Sequence, residues 1–171
     1  MQQFTIPFGG LQEGERVYEF EIRALFFDQF VYSEIYKSDV IVKLTLHRES
    51  AMIILEFSLQ GTVAVMCDRC SDFFDIPIKG KYRLIVKFGE RKHEETDEII
   101  IIPYTDSALD ITQYIYEYIN LLLPKSRVHF EGQCNSEVIQ KLDELASDIK
   151  PGNTVDPRWD ALKELTTENW N

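Results

Sequence analysis

Long apolar runs are missing from this chain. No stretch approaches the roughly 20 residues that a membrane-crossing helix needs, so no membrane partner is expected. The opening residues, MQQFTIPFGG, have no basic start followed by an apolar segment. They do not form a secretory signal, and the cytoplasm is the expected location. Catalytic signatures are absent too: there is no GxSxG, no Walker loop, no GxGxxG and no HExxH. Histidine is confined to His47, His93 and His129. His47 alternates outward in a strand pattern, and His93 lies in a charged segment. Neither stands near a nucleophile in sequence, so no enzyme and no small-molecule substrate are expected. Positive charge is also in short supply, with 18 Lys and Arg against 29 Asp and Glu, a net charge of -11 and a pI near 4.7. Such a chain repels phosphate backbones at long range. Indiscriminate nucleic-acid binding is not expected; a local basic face could still dock on RNA, and a basic protein partner would suit the overall charge. Cysteine is scarce: Cys67, Cys70 and Cys134 make an odd count with one close pair. That pattern argues against a disulfide framework and for metal ligands, redox thiols or chance, in that order.

The 171 residues are 44% hydrophobic and 27% charged, which suits one domain with a substantial core. The expected division is a single α+β domain over residues 1–149, then a linker and short C-terminal helix over 150–171. Residues 4–8 are extended, and 14–22 alternate weakly as a second strand. Residues 24–31 cluster Leu25, Phe26, Phe27, Phe30 and Val31 at the spacing of a short helix. The period then changes to two. Val40, Val42, Leu44 and Leu46 alternate with polar residues, Arg48 to Ser50 form a turn, and Ile53 to Val65 keep one parity, with a bulge expected at Gly61. Phe74, Ile76 and Ile78, then Tyr82, Leu84, Val86 and Phe88, continue the alternation. These strands predict a half-buried antiparallel meander. Residues 89–98 form a charged loop, and Ile99 to Ile102 a short strand buried on both faces. Asp110 caps a helix whose apolar stripe is Ile111, Tyr114, Ile115, Tyr118, Ile119 and Leu122, and Pro124 stops it. A second helix covers 136–148, and a third covers 158–165 after a turn-rich linker. There is no internal repeat. Strands first and helices last predict an α+β fold: an antiparallel meander, open or closed into a barrel, with helices mainly in the C-terminal half.

Three features carry chemistry. Cys67-Asp68-Arg69-Cys70 sits where one strand ends and the next begins. Two thiolates at that spacing can share a tetrahedral metal. His129 and Cys134, together in the loop after the tyrosine-rich helix, could complete a site with three cysteines and one histidine, with zinc as the candidate cofactor. The competing reading is that Cys67 closes the buried face of its strand and the rest is incidental. A thioredoxin-like role is less suited, because that chemistry places CxxC at a helix N-terminus in a βαβ setting. Second, Lys79, Lys81, Arg83 and Lys87 share one strand parity, and Arg91 and Lys92 extend the charge. That face could meet RNA phosphates, or it could be an ordinary solvated face that blunts edge pairing. Third, Tyr114 and Tyr118 lie on the helix stripe and belong to the core. Tyr116 lies off it and is expected to be available to a partner.

These segments, in order, resemble the YceD-like family of large ribosomal RNA subunit accumulation proteins. The resemblance is carried by the strand running from Val63 into Cys67-Asp68-Arg69-Cys70, followed by Phe73, Phe74, Ile76 and Pro77. It continues through an acidic stretch into the helix with Glu117 and Leu121-Leu122-Leu123-Pro124. It ends with His129 and Cys134, then Asp156-Pro157-Arg158-Trp159 with Leu162 and Leu165. Some members carry a second CxxC after the Leu-Pro helix end, where this chain offers His129 and Cys134. The resemblance implies a non-catalytic role in accumulation or processing of large-subunit ribosomal RNA. Its partner would be the RNA precursor or a ribosomal protein, with Arg69 presented between the cysteines. The alternative is an acidic module that binds a basic ribosomal protein without touching RNA.

Overall fold

Alternation at period two dictates the sheet. Val40, Val42, Leu44 and Leu46 are all buried, and so are Leu55, Phe57 and Leu59 on the next strand. One face of each strand is therefore apolar, and the pleat sends all of it the same way. The computed structural model describes residues 4–89, 96 and 98–147. Arg91, Lys92, His93 and the C-terminal helix and linker expected after residue 149 lie outside the described residues. The chain divides into two compact units that meet between Gln133 and Cys134.

The first unit carries the strands found among the described residues. β2 (Gly14–Arg23), β3 (Lys37–Arg48), β4 (Met52–Met66), β5 (Phe73–Phe88) and β6 (Ile99–Ile102) form one sheet in that spatial order. β2 to β5 are antiparallel neighbours in sequence order, the expected meander. β6 departs from it. It runs parallel to β5, with Ile99 beside Ile85 and Ile102 beside Phe88. Only Ile101 and Ile102 of its four residues are buried. β2 and β6 remain separate edges, so among the described residues the sheet is open and does not close into a barrel. The bulge expected at Gly61 is absent: both registers run unbroken through it, to Val40 on one side and Ile78 on the other. Close approach explains the glycine instead. A Cβ there would stand 2.1 Å from the Asp39 carbonyl oxygen.

A second, two-stranded sheet pairs β1 (Thr5–Pro7) with β7 (Ala108–Asp110). It leads into α2 (Thr112–Leu121). The N-cap is Ile111, which has no side-chain cap; Asp110, expected as the cap, stands one residue earlier, and its Oδ1 accepts from the Thr112 backbone N–H at 2.8 Å. α2 lays Ile115, Tyr118 and Ile119 in the core, on the apolar sheet face. Each fully buried side chain of this size stabilises the fold by about 1.5–3 kcal/mol. α1 is only Ala24–Phe27, shorter than its apolar cluster suggested. Competing bonds end it: Gln29 Nε2 donates to the Phe26 carbonyl at 2.7 Å, and Phe30 N–H turns back to Phe27 at 2.9 Å. Phe30 then stacks on Tyr116, ring centroids 3.8 Å apart. Tyr116 is thus held inside the fold rather than offered to a partner. The other sheet face is polar and carries Lys43, Lys79, Lys81 and Arg83 as exposed or half-buried side chains. In the second unit, α3 (Ser136–Ser147) is capped by Asn135 Oδ1, which accepts from Glu137 and Val138.

Candidate metal centre

The turn between β4 and β5 has more structure than a turn requires. Cys67 N–H donates to the Asp72 carbonyl and Ser71 N–H to the Cys67 carbonyl, each at 2.9 Å. Ser71 takes a left-handed backbone at φ 62 to close it, a conformation that costs a side-chain-bearing residue energy. The result buries both sulfurs: Cys67 and Cys70 are 2% and 4% exposed. No disulfide joins the cysteines.

A distant loop is tied to this knuckle by a reciprocal backbone clamp. Asp68 N–H donates to the Arg127 carbonyl, and Arg127 N–H donates to Asp68 Oδ2, each at 2.7 Å. The Arg127 guanidinium also pairs with Glu34 and lies 3.5 Å from Asp68 Oδ1. The hydrogen bond that Arg127 donates to Glu34 raises the guanidinium pKa, against a smaller opposing effect of burial. Nothing in the sequence singled out Arg127 or Glu34. They are 93 residues apart, and an arginine in a polar loop carries no local pattern.

The clamp delivers His129. Its Nδ1 lies 3.3 Å from Cys70 Sγ, and its ring rests on Phe74 with centroids 4.5 Å apart. The ligand atoms of Cys67, Cys70, His129 and Cys134 all lie within 4.8 Å of one another. A tetrahedron with Zn–S bonds of about 2.3 Å has edges near ~3.8 Å. The Cys70–His129 edge, at 3.3 Å, is of that scale. Burial pushes the Cys67 thiol up. Backbone N–H groups of Cys70, His129 and Arg69 and the His129 ring outweigh it and bring the thiol down to about 6. Thiolate is the form that ligates metal. The donor set, its burial and its spacing therefore fit a tetrahedral metal of the zinc type.

The other candidate residues lie elsewhere on the same hairpin. Arg69 projects from the knuckle tip, exposed, with its backbone N–H directed to Cys67 Sγ at 3.4 Å. Lys79, Lys81 and Arg83 are exposed on the outer face of β5, while Lys87 is half-buried next to Ile101. Ile85 interrupts the stripe between Arg83 and Lys87. His47, also on the outer face, lies 3.6 Å from Glu15 and 3.8 Å from Glu56.

A mostly antiparallel open sheet with a hairpin that ends in a cysteine–histidine cluster defines an α+β fold with a candidate metal site. Residues 55–166 match the family described as large ribosomal RNA subunit accumulation protein YceD, and the chain belongs to that family. The match extends upstream of the Val63 start of the resemblance, to take in most of β4. No curated protein and no solved structure matches this chain. Among the described residues no helix is long and apolar enough to cross a membrane.

Proposed function

We propose that this protein is a non-catalytic, cytoplasmic factor that supports accumulation or processing of large-subunit ribosomal RNA by binding its precursor. Family membership implies a role in accumulation of that RNA. The observation that carries the finer reading is that one hairpin, β4–β5, holds both the metal-type cluster at its tip and the cation-bearing face along β5. Cys67, Cys70, His129 and Cys134 hold a structural zinc that stiffens the tip. Four protein ligands leave no open position for an activated water, so the metal serves shape rather than chemistry. Arg69 is then presented as a planar fork for phosphate, and Lys79, Lys81, Arg83 and Lys87 extend the contact along the strand.

The net charge of -11 favours a second reading, an acidic module that recognises a basic ribosomal protein without RNA contact. Binding to large-subunit precursor fragments across a salt series separates the two. Under the first reading, Arg69→Glu with Lys81→Glu weakens RNA binding by about tenfold or more and flattens the salt dependence. The melting temperature stays unchanged. Absence of RNA binding, together with salt-dependent capture of a purified basic ribosomal protein, establishes the second reading instead.

A further inference from the structure

A groove of about 1120 Å³ lies beside β5, lined from β3, β4, β5, β6 and α2. β6 pairs with β5 only from Ile85 onward, so the segment before it is a free edge among the described residues. Strand parity gives the groove two chemically different walls. On the outer side, Lys43, Ser58 and Lys81 stand in one cross-strand row, and Thr45, Glu56 and Arg83 in the next. None of Lys43, Lys81 and Arg83 makes an ion pair among the described residues. Glu56, the carboxylate on this wall, lies near His47. On the inner side, Tyr82 stacks on Tyr118 at 4.4 Å and 3°, with Tyr114 beside them and the carboxylates of Glu98 and Glu117 at the rim.

Tyr118 gives the inner wall an unmet demand. Its hydroxyl is buried and has no hydrogen-bond partner among the described residues, an unfavourable state for a polar group out of water. Burial, with the nearby groups of Tyr114, Glu117, Glu98 and Tyr82, pushes its pKa up to about 12. It is therefore a protonated donor at neutral pH.

We propose that this groove binds a nucleotide of single-stranded RNA, with phosphates on Lys43, Lys81 and Arg83 and a base in the tyrosine recess. The Tyr118 hydroxyl donates to a ring or carbonyl acceptor of that base, and Glu98 or Glu117 accepts from its amino group. The pairing of walls selects this ligand. An acidic peptide would be repelled by Glu98 and Glu117, and a basic one by Lys81 and Arg83. A nucleotide places an anion and a neutral base with donor and acceptor groups on either side of a sugar. Aromatic side chains hold unstacked bases through their faces, whatever the base. Carboxylates favour bases with an amino donor, as in readout of cytosine. The inference rests on the RNA-contact reading above and adds to it where the base goes and which bases it prefers.

The test is fluorescence anisotropy of the full-length protein with labelled oligocytidylate and oligouridylate of about twelve nucleotides. These differ at the 4-position, amino against carbonyl. We expect oligocytidylate to bind about threefold tighter or more. Tyr118→Phe should weaken oligocytidylate binding about three- to tenfold, with no loss of thermal stability, because the change removes an unpaired buried hydroxyl. Lys81→Gln with Arg83→Gln should weaken both oligomers and lower the slope of log K against log salt by about one to two. Free cytidine monophosphate should compete poorly, because it lacks the neighbouring phosphates. If the charge variant weakens binding while Tyr118→Phe and base identity have no effect, the recess is overturned and the RNA contact stands. If neither oligomer binds, or the charge variant binds both as wild type does, the recess and the RNA contact fall together. Competition by the free nucleotide at equal concentration overturns the assignment to RNA.

Discussion

β4 is bounded by two turns, and they are built differently. At its start, Glu49 N–H donates to the Met52 carbonyl at 2.9 Å and the chain simply reverses. At its end, the reversal from Cys67 to Asp72 buries two sulfurs and holds a serine in a left-handed conformation. It also accepts a clamp from a loop 59 residues away. Both turns satisfy the hairpin geometry. Only the second gathers ligands. A sheet does not need that elaboration to fold, so the difference marks where the molecule is specialised.

The widest gap between the turns should appear on removing the cluster. In Cys67→Ser/Cys70→Ser, protein purified without chelator should lose close to one zinc per chain, and the melting temperature should fall by about 10 °C or more. Wild type carrying no zinc would reduce the cysteines to packing residues and make the two turns alike. Next in size is the clamp. Asp68→Ala removes the acceptor for the Arg127 N–H and a nearby counter-charge, and should cost about 1–2 kcal/mol in urea denaturation. Because the clamp delivers His129, the same variant should also release zinc faster to a chromogenic chelator. An unchanged release rate would mean that His129 is placed without it. The smallest effects come from placing glycine in each turn. Ser71→Gly relieves about 1–2 kcal/mol of left-handed strain against about 0.5–1 kcal/mol for glycine's greater freedom in the unfolded chain, and should stabilise by about 0.5–1 kcal/mol. Ser50→Gly in the plain turn should stay within about 0.5 kcal/mol of wild type.

Much of this organisation is legible in one dimension. Period-two runs announce β3, β4 and β5, because a pleated strand with one buried face must alternate. The stripe from Ile111 to Leu122 announces α2 for the corresponding helical reason, and Asp110 marks its start. The ligand set was readable as a close pair plus two residues in one loop, because metal chemistry restricts the residue types. The departures have physical causes as well. Residues 24–31 have helical spacing, yet Gln29 captures a carbonyl the helix would have used. Gly61 looked like a bulge because glycine is common in bulges. Its neighbour Asp39 leaves no room for a Cβ, and sequence does not show neighbours across a sheet. Tyr116 looked available because it lies off the stripe, but Phe30 supplies a stacking partner.

The sequence by itself determined most of the strand and helix pattern, the shortage of positive charge and the identity of the four ligand candidates. Each follows from local periodicity or residue chemistry. The tertiary structure decided the parallel return of β6, the open sheet, the clamp of Asp68 with Arg127, and the groove where Tyr118 keeps an unpaired hydroxyl. Those depend on which distant segments meet. Such contacts come from packing one apolar face against whatever covers it, and the order of residues along a chain does not encode them pairwise.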